Sequence, residues 1–220
     1  MPHYVLLGDS IFDNAPYVAG APDTVTRLRE QLPPGDRVTL LAVDGAVAAD
    51  IPGQLRALPH HVDHCFLSVG GNDALQALTV LGERVDSVDE ALECLARARE
   101  PFVEAYLRSL DALLAIGVPV SVCTIYEGLL GFAGRPEVDE ALEAFLFGSL
   151  SAEALRVALS LYNDIITRAA LARNLPLVEL RSVCTEPADY ANPIEPSSEG
   201  SRKIAAALLA TVGEGPGRRN

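Results

Sequence analysis

Two short polar turns, Gly8-Asp9-Ser10 and Gly70-Gly71-Asn72-Asp73, each follow directly on an apolar run. A serine hydroxyl can act as a nucleophile, and an asparagine amide and backbone N–H groups can bind the oxyanion that forms when a carbonyl is attacked. Glycine permits the tight turn and leaves the backbone exposed, so Ser10, a backbone N–H and the Asn72 amide could meet at one point. Such a set serves an ester hydrolase. Either turn alone is ordinary, since Gly, Asp, Asn and Ser are common after strands, and a lone Gly-Asp-Ser reads best as a turn in which Ser10 caps the next helix. Together, in order and each at the end of an apolar run, they are much more specific.

The elements that must bring these turns together are legible from periodicity. Strands are expected at His3 to Leu7, Arg37 to Val43, His64 to Val69, Val118 to Ile125 and Leu177 to Leu180, alternating with helices. Asp23 can cap a helix over Thr24 to Leu32, and Asp50 one running to Leu58 with Pro52 in its first turn. Val88, Leu92 and Leu95, then Val103, Leu107, Leu110 and Leu114, read as the apolar stripe of one long helix kinked at Pro101. Further stripes run through Leu155, Leu159, Tyr162, Ile166 and Ala169, and through Ile204, Leu208 and Val212. The expected architecture is a three-layer α/β/α sandwich around a parallel five-stranded sheet of order 2-1-3-4-5. In such sheets ligands bind at the carboxyl ends of the strands, where both polar turns fall.

An insertion from 127 to 150 interrupts this alternation. Its first half places Leu129, Leu130 and Phe132 among Gly128, Gly131 and Gly134, and its second half has helical spacing at Val138, Leu142, Phe145 and Leu146. The glycine-rich half could form a lid or an acyl-binding wall, or could be a surface loop tucking its leucines beneath itself.

In these blocks the chain resembles the SGNH (GDSL-type) superfamily of esterases, lipases and thioesterases. The likeness rests on "LLGDS" near the start, "LSVGGNDAL" in the third block and "NPIEPSSEGSRKIA" before the last helix, and it runs over nearly the whole chain. The resemblance implies that Ser10 is the nucleophile and Asn72 an oxyanion donor, with backbone N–H groups of Ser10 and of a second-block residue completing the hole. In "VDGAVAAD" that residue is Gly45, or Ala49 when the block is aligned on Asp50. The last block departs from the family. Where Asp-x-x-His is usual, this chain has Asn192 and Glu195.

No other histidine replaces the missing one. His3, His60, His61 and His64 all lie at or before the amino ends of strands one and three, some 15 Å from the opposite sheet edge at roughly 3.3 Å per residue. They are expected as surface or strand-edge residues. Glu195 is then the candidate base, provided burial or nearby acids raise a pKa ordinarily near 4.3. Asp9, Asp13, Asp73 and Asp189 are candidates for that role. With no imidazole tautomer to fix, a neutral Asn192 could hydrogen-bond Glu195 instead.

Composition narrows the alternatives. A length of 220 residues suits one domain, expected over 1–212 with a tail over 213–220. A formal charge of -13 argues against nucleic acid as a partner. Cys65, Cys94, Cys123 and Cys184 show no C-x-x-C spacing, so neither a metal nor another cofactor is implied, and reduced cysteines are expected. No apolar stretch approaches the roughly 20 residues that cross a bilayer, and no signal-like segment precedes the first strand, so a cytoplasmic protein with no membrane partner is expected. Three readings remain: a hydrolase of a small ester or thioester, a binding protein for an acylated or polyhydroxy ligand, and a flavodoxin-like nucleotide binder. The last lacks a glycine-rich phosphate loop.

Overall fold

The computed structural model describes residues 1–146 and 150–212, so the expected tail after Val212 lies outside the described residues. Strands β1 (His3–Gly8), β2 (Arg37–Leu40), β3 (His64–Ser68), β4 (Val120–Cys123) and β5 (Leu177–Val178) form one parallel sheet of order β2-β1-β3-β4-β5. Every residue of β1 and β3 is buried, as expected of strands covered on both faces. Alternate side chains feed two separate cores. Tyr4, Leu6 and Phe66 join one, while Val5, Leu7, Cys65 and Leu67 join the other.

Four strands, β2 to β5, stop sooner than their apolar runs suggest. After Leu40 the N–H groups of Leu41 and Ala42 both converge on the Leu6 carbonyl, which ends the regular ladder between β2 and β1. Apolar residues beyond that point still fill the core, and periodicity cannot separate a buried loop from a strand.

Around the sheet stand α1 (Thr24–Gln31), α2 (Ile51–Leu55), α3 (Gly71–Gln76), α4 (Val88–Ala98), α5 (Glu100–Leu114), α6 (Pro136–Leu146), α7 (Ala152–Ala172), α8 (Leu180–Val183) and α9 (Ser198–Ala210). Asp23 caps α1 as expected, its carboxylate accepting the Thr26 N–H at 2.8 Å. Asp50 does not cap α2; its carboxylate instead accepts the Val47 N–H at 2.9 Å, across a 3-10 turn over Ala48–Asp50.

The long kinked helix is corrected to two helices, α4 and α5, separated by a turn at Arg99. Pro101 sits in the first turn of α5, where its missing N–H costs nothing. The face of α5 that meets the core is offset from the expected stripe, with Phe102, Tyr106, Leu110 and Leu113 buried. Helix α4 buries no side chain, and its Val88 and Leu92 are exposed.

Candidate active site

Strand β1 ends in a turn that fixes Ser10 through its neighbours. The Asp9 N–H donates to the Ser68 carbonyl at 3.1 Å, joining the ends of β1 and β3. Gly8 has φ of +136°, and a Cβ there would lie 1.7 Å from the Ser68 carbonyl oxygen, so only glycine permits this approach. Gln54 of α2 clamps the same residue from the other side: its Oε1 accepts the Gly8 N–H at 2.8 Å and its Nε2 donates to the Gly8 carbonyl at 2.7 Å.

The capping role suggested for Ser10 belongs to Asp9. Its Oδ1 accepts the Ile11 N–H at 3.2 Å, and its carbonyl accepts the N–H groups of Phe12 and Asp13, each at 3.1 Å. Ser10 is left with its hydroxyl on a cleft and, among the described residues, with a backbone N–H that has no acceptor. A free N–H beside a nucleophile is what an oxyanion hole requires.

Asn72 lines the same cleft from the start of α3. One of its two amide hydrogens goes to the Ala46 carbonyl, at 2.9 Å, which fixes the side chain and leaves the second for a ligand. Of the two second-block candidates, Gly45 lies along a neighbouring depression with Asp44, Ala46 and Gln54, and neither Gly45 nor Ala49 lines the Ser10 cleft.

Glu195 reaches the cleft from the loop before α9 and is only 4% exposed. Burial pushes its carboxyl up to about 7, the nearby Ser10 hydroxyl pulls it down, and Asp44 pushes it further up. Glu195 Oε2 is buried with no partner among the described residues. Asp9, 2% exposed, lines the cleft as well. Burial raises it to about 8, against the Ile11 N–H that lowers it, with the charges of Glu195 and Asp73 adding to the rise.

The remaining expected residues stand outside the cleft. Asn192 does bond Glu195, but through the backbone: its Oδ1 accepts the N–H groups of Ile194 at 3.0 Å and Glu195 at 2.9 Å, closing the turn that presents the carboxylate. Asp13 accepts the Asp44 N–H at 3.0 Å, and Asp73, raised by burial, accepts the Ala48 N–H at 3.0 Å. Asp189 is ion-paired with Lys203 at 2.7 Å. Of the two expected causes of a raised Glu195 pKa, burial is the one that acts most strongly, and the one acid that adds to it is Asp44 and none of the four aspartates expected.

None of the four histidines lines the cleft. His3 and His64 open β1 and β3 at the strand edge, as expected, and are buried there: His3 Nε2 pairs with the Thr39 hydroxyl at 2.7 Å, and His64 Nε2 with the Ser121 hydroxyl at 2.8 Å. Burial lowers His64 to about 4, so it stays neutral at physiological pH.

The insertion combines both of its expected fates. A 3-10 turn over Gly128–Phe132 sends Leu129 into the core and Phe132 against Tyr190, while Leu130 faces the cleft. The turn is tied down. The Leu129 N–H and Tyr126 hydroxyl donate to the Pro193 and Ile194 carbonyls at 2.9 and 2.7 Å, and a Cβ on Gly128 would lie 2.2 Å from the Pro193 oxygen. Residues 147–149 lie outside the described residues.

Beyond its polar floor the cleft is apolar, with Leu75, Leu78, Leu81, Leu95, Leu155 and Leu159 among its walls and about 1000 Å³ of empty space including the open mouth. The acidic side chains lining it are Asp9, Glu127 and Glu195, and among the described residues no Lys or Arg does so. Sequence reasoning missed Gln54 and Asn163. Asn163 of α7 holds the loop after β4, accepting the Ile125 N–H at 2.7 Å and donating to its carbonyl at 2.8 Å. A lone amide on a helix gives no signal that it binds backbone far away in sequence.

A model of the GDSL-like lipase/acylhydrolase family matches residues 6–203. Among solved structures, the chain is similar to an extracellular lipase from Streptomyces rimosus, with 18% identity over 96% of this chain and 100% of that one and a TM-score of 0.64. Phospholipase A1 from Streptomyces albidoflavus is 17% identical over 96% and 99%, with a TM-score of 0.65. An acetylxylan esterase from Geobacillus stearothermophilus is 18% identical over 96% and 94%, with a TM-score of 0.62. At these identities the likeness speaks for the fold. A search of the curated proteins found no match.

Proposed function

Because the chain belongs to the GDSL-like lipase/acylhydrolase family, we propose that it hydrolyses an ester or thioester with an apolar acyl group, using Ser10 as nucleophile and Glu195 as base. The observation that carries this reading is that Ser10, Asn72 and Glu195, far apart in sequence, line one cleft at the carboxyl end of the sheet. The Ser10 oxygen bonds to the substrate carbonyl carbon while its proton passes to Glu195. The carbonyl oxygen becomes the oxyanion, held by the Ser10 N–H and the free Asn72 amide hydrogen. Collapse breaks the bond to the leaving alcohol or thiol, which takes the proton from protonated Glu195. Water then attacks the acyl-enzyme by the same route in reverse. A carboxyl near 7 is far better matched to this exchange than an ordinary glutamate. Asp9, kept neutral by its pKa of about 8, spares the oxyanion a neighbouring charge.

The apolar walls suit the acyl part, and the acid-only charge of the lining disfavours an anionic group near the ester. With four unpaired cysteines, the protein would suit a reducing compartment such as the cytoplasm.

A second reading, a binding protein for an acylated or polyhydroxy ligand, is favoured by one observation: Glu195 Oε2 is buried without a partner among the described residues, an acceptor that a ligand hydroxyl could satisfy. Labelling with a fluorophosphonate separates the two. Hydrolysis predicts stoichiometric labelling that rises with pH through about 7 and is lost in Ser10→Ala. No labelling between about pH 6 and 9 would leave the binding protein.

A further inference from the structure

Tyr162 of α7 brings an unanswered polar group to the apolar wall of the cleft. Its ring packs on Phe102 of α5, centroids 5.0 Å apart, and the residue is only 6% exposed, yet it lines the cleft. Its hydroxyl enters no hydrogen bond among the described residues. What acts on it is burial and then the charge of Asp73, both of which raise its pKa, against Arg99, which lowers it. The neighbouring cleft tyrosine is settled, since the Tyr126 hydroxyl donates to the Ile194 carbonyl at 2.7 Å. The Tyr106 hydroxyl also lacks a partner, but it is sealed inside the core. Tyr162 is placed along the cleft by its neighbour. Asn163 binds the N–H and carbonyl of Ile125, and a Cβ on Gly71 would lie 3.8 Å from the Ile125 side chain, so Tyr162 stands level with the turn that carries Asn72. Helix α7 runs back toward the amino end of the sheet before β5, so Leu155, two turns earlier, lies farther from the floor.

We propose that the Tyr162 hydroxyl selects acyl groups carrying an oxygen close to the ester, as β-hydroxyacyl and β-oxoacyl esters do, over plain fatty acyl groups. While the cleft is open to solvent, water can satisfy the hydroxyl. A plain acyl chain laid along the wall strips that water and returns nothing, and a polar group left without a partner on burial is costly. A chain with a hydroxyl or carbonyl oxygen at this level accepts the phenol proton and restores the bond. Burial keeps the phenol protonated, so it is a donor throughout. Discrimination thus comes mainly from a penalty on the wrong substrate. The wall farther along, with Leu78, Leu81, Leu155 and Leu159, offers no polar side-chain atom, so an oxygen placed there gains no partner from them.

The selectivity rests on the hydrolase reading for its kinetic assay, so it is measured by binding as well. Full-length wild type and Tyr162→Phe are assayed with p-nitrophenyl octanoate, with both enantiomers of its β-hydroxy analogue and with its ω-hydroxy analogue. Wild type should favour one β-hydroxy enantiomer over the plain ester by about tenfold or more in kcat/KM, with no gain for the ω-hydroxy ester. Tyr162→Phe should bring that ratio to about one, raising kcat/KM for the plain ester while lowering it for the hydroxy ester. A merely structural role would move both in the same direction. The hydroxyl has no protein partner to lose, so the variant should melt with wild type. Calorimetry of the matching methyl esters with Ser10→Ala should show the same preference without turnover. Wild type lacking the preference, a gain for the ω-hydroxy ester instead, or a ratio that survives in Tyr162→Phe overturns the proposal. Preferential binding to Ser10→Ala with no hydrolysis by wild type would support the selectivity and count against Ser10 as nucleophile.

Discussion

The floor of the cleft and its outer wall are built on opposite terms. The floor, Gly8 to Ser10 with Asn192 to Glu195, hangs from hydrogen bonds at every step: Gln54, in buried bonds, and Ser68 hold the first turn, and Asn192, in part-buried ones, holds the second. The wall, residues 71–101, contains no buried residue over three consecutive helical turns and helices. Chemistry needs fixed positions, and a surface that admits large apolar substrates needs elements that open cheaply. The contrast is sharpest at glycine. Gly8→Ala would drive a Cβ into the Ser68 oxygen at a φ that side chains rarely adopt, whereas at Gly82 in the wall an added Cβ meets nothing within 4 Å. Gly8→Ala is expected to cost about 4 kcal/mol or more, enough to unfold much of the protein, and Gly82→Ala to cost nothing measurable in denaturant unfolding. Equal costs would erase the distinction.

Next in size is Glu195→Gln. It keeps the turn but removes the proposed base, and the loss in kcat/KM is expected at about a hundredfold, near 2.7 kcal/mol. The wild-type rate should follow a bell, rising as Glu195 ionises near 7 and falling as Asp9 ionises near 8 and places a second charge beside the oxyanion. Asp9→Asn, whose amide oxygen can still accept the Ile11 N–H, should lose the upper limb. Stability follows the same group. Asp9 is held above its ordinary 3.8, so the folded state keeps a proton the unfolded chain has already released. That contribution is complete below about pH 4 and is lost as pH rises through about 8. Asp9→Asn should therefore melt several degrees above wild type at about pH 9, with the gain shrinking by about pH 5. A melting difference that does not change with pH would break the argument.

The floor was largely legible in the sequence and the wall was not. Continuous apolar runs ending in Gly-Asp-Ser and Gly-Gly-Asn-Asp marked β1 and β3, because strands buried on both faces leave an unambiguous pattern. Glu195 was placed at the site by its flanking block and burial was named as one way to raise its pKa, but that Asp44 is the acid which adds to the rise was not legible, since charge proximity depends on packing from distant segments. Val88 and Leu92 matched a core stripe in spacing alone; periodicity says which residues share a face but not what that face meets. Gln54 illustrates the other blind spot, a contact whose partner lies 46 residues away. Replacing it with Leu keeps the volume but strands the Gly8 N–H and carbonyl, with an expected loss of about 2 kcal/mol in denaturant unfolding. A loss below half of that would mean the floor is held mainly by Ser68.

The smallest expected effect tests the wall directly. Leu92→Gln removes an apolar side chain from a helix with no buried residue, so it should change folding stability by less than about 0.5 kcal/mol. Leu110→Gln on α5, a fully buried position, serves as its counterpart and should be severely destabilising. Native-state hydrogen exchange reads the same division amide by amide. Protection across 88–98 should correspond to a local opening well below the global unfolding free energy, while the amides of β1 and β3 exchange only on global unfolding. If α4 were as protected as β3, the apolar stripe would be held against the body of the protein more firmly than its exposure allows, and the contrast between floor and wall would fail.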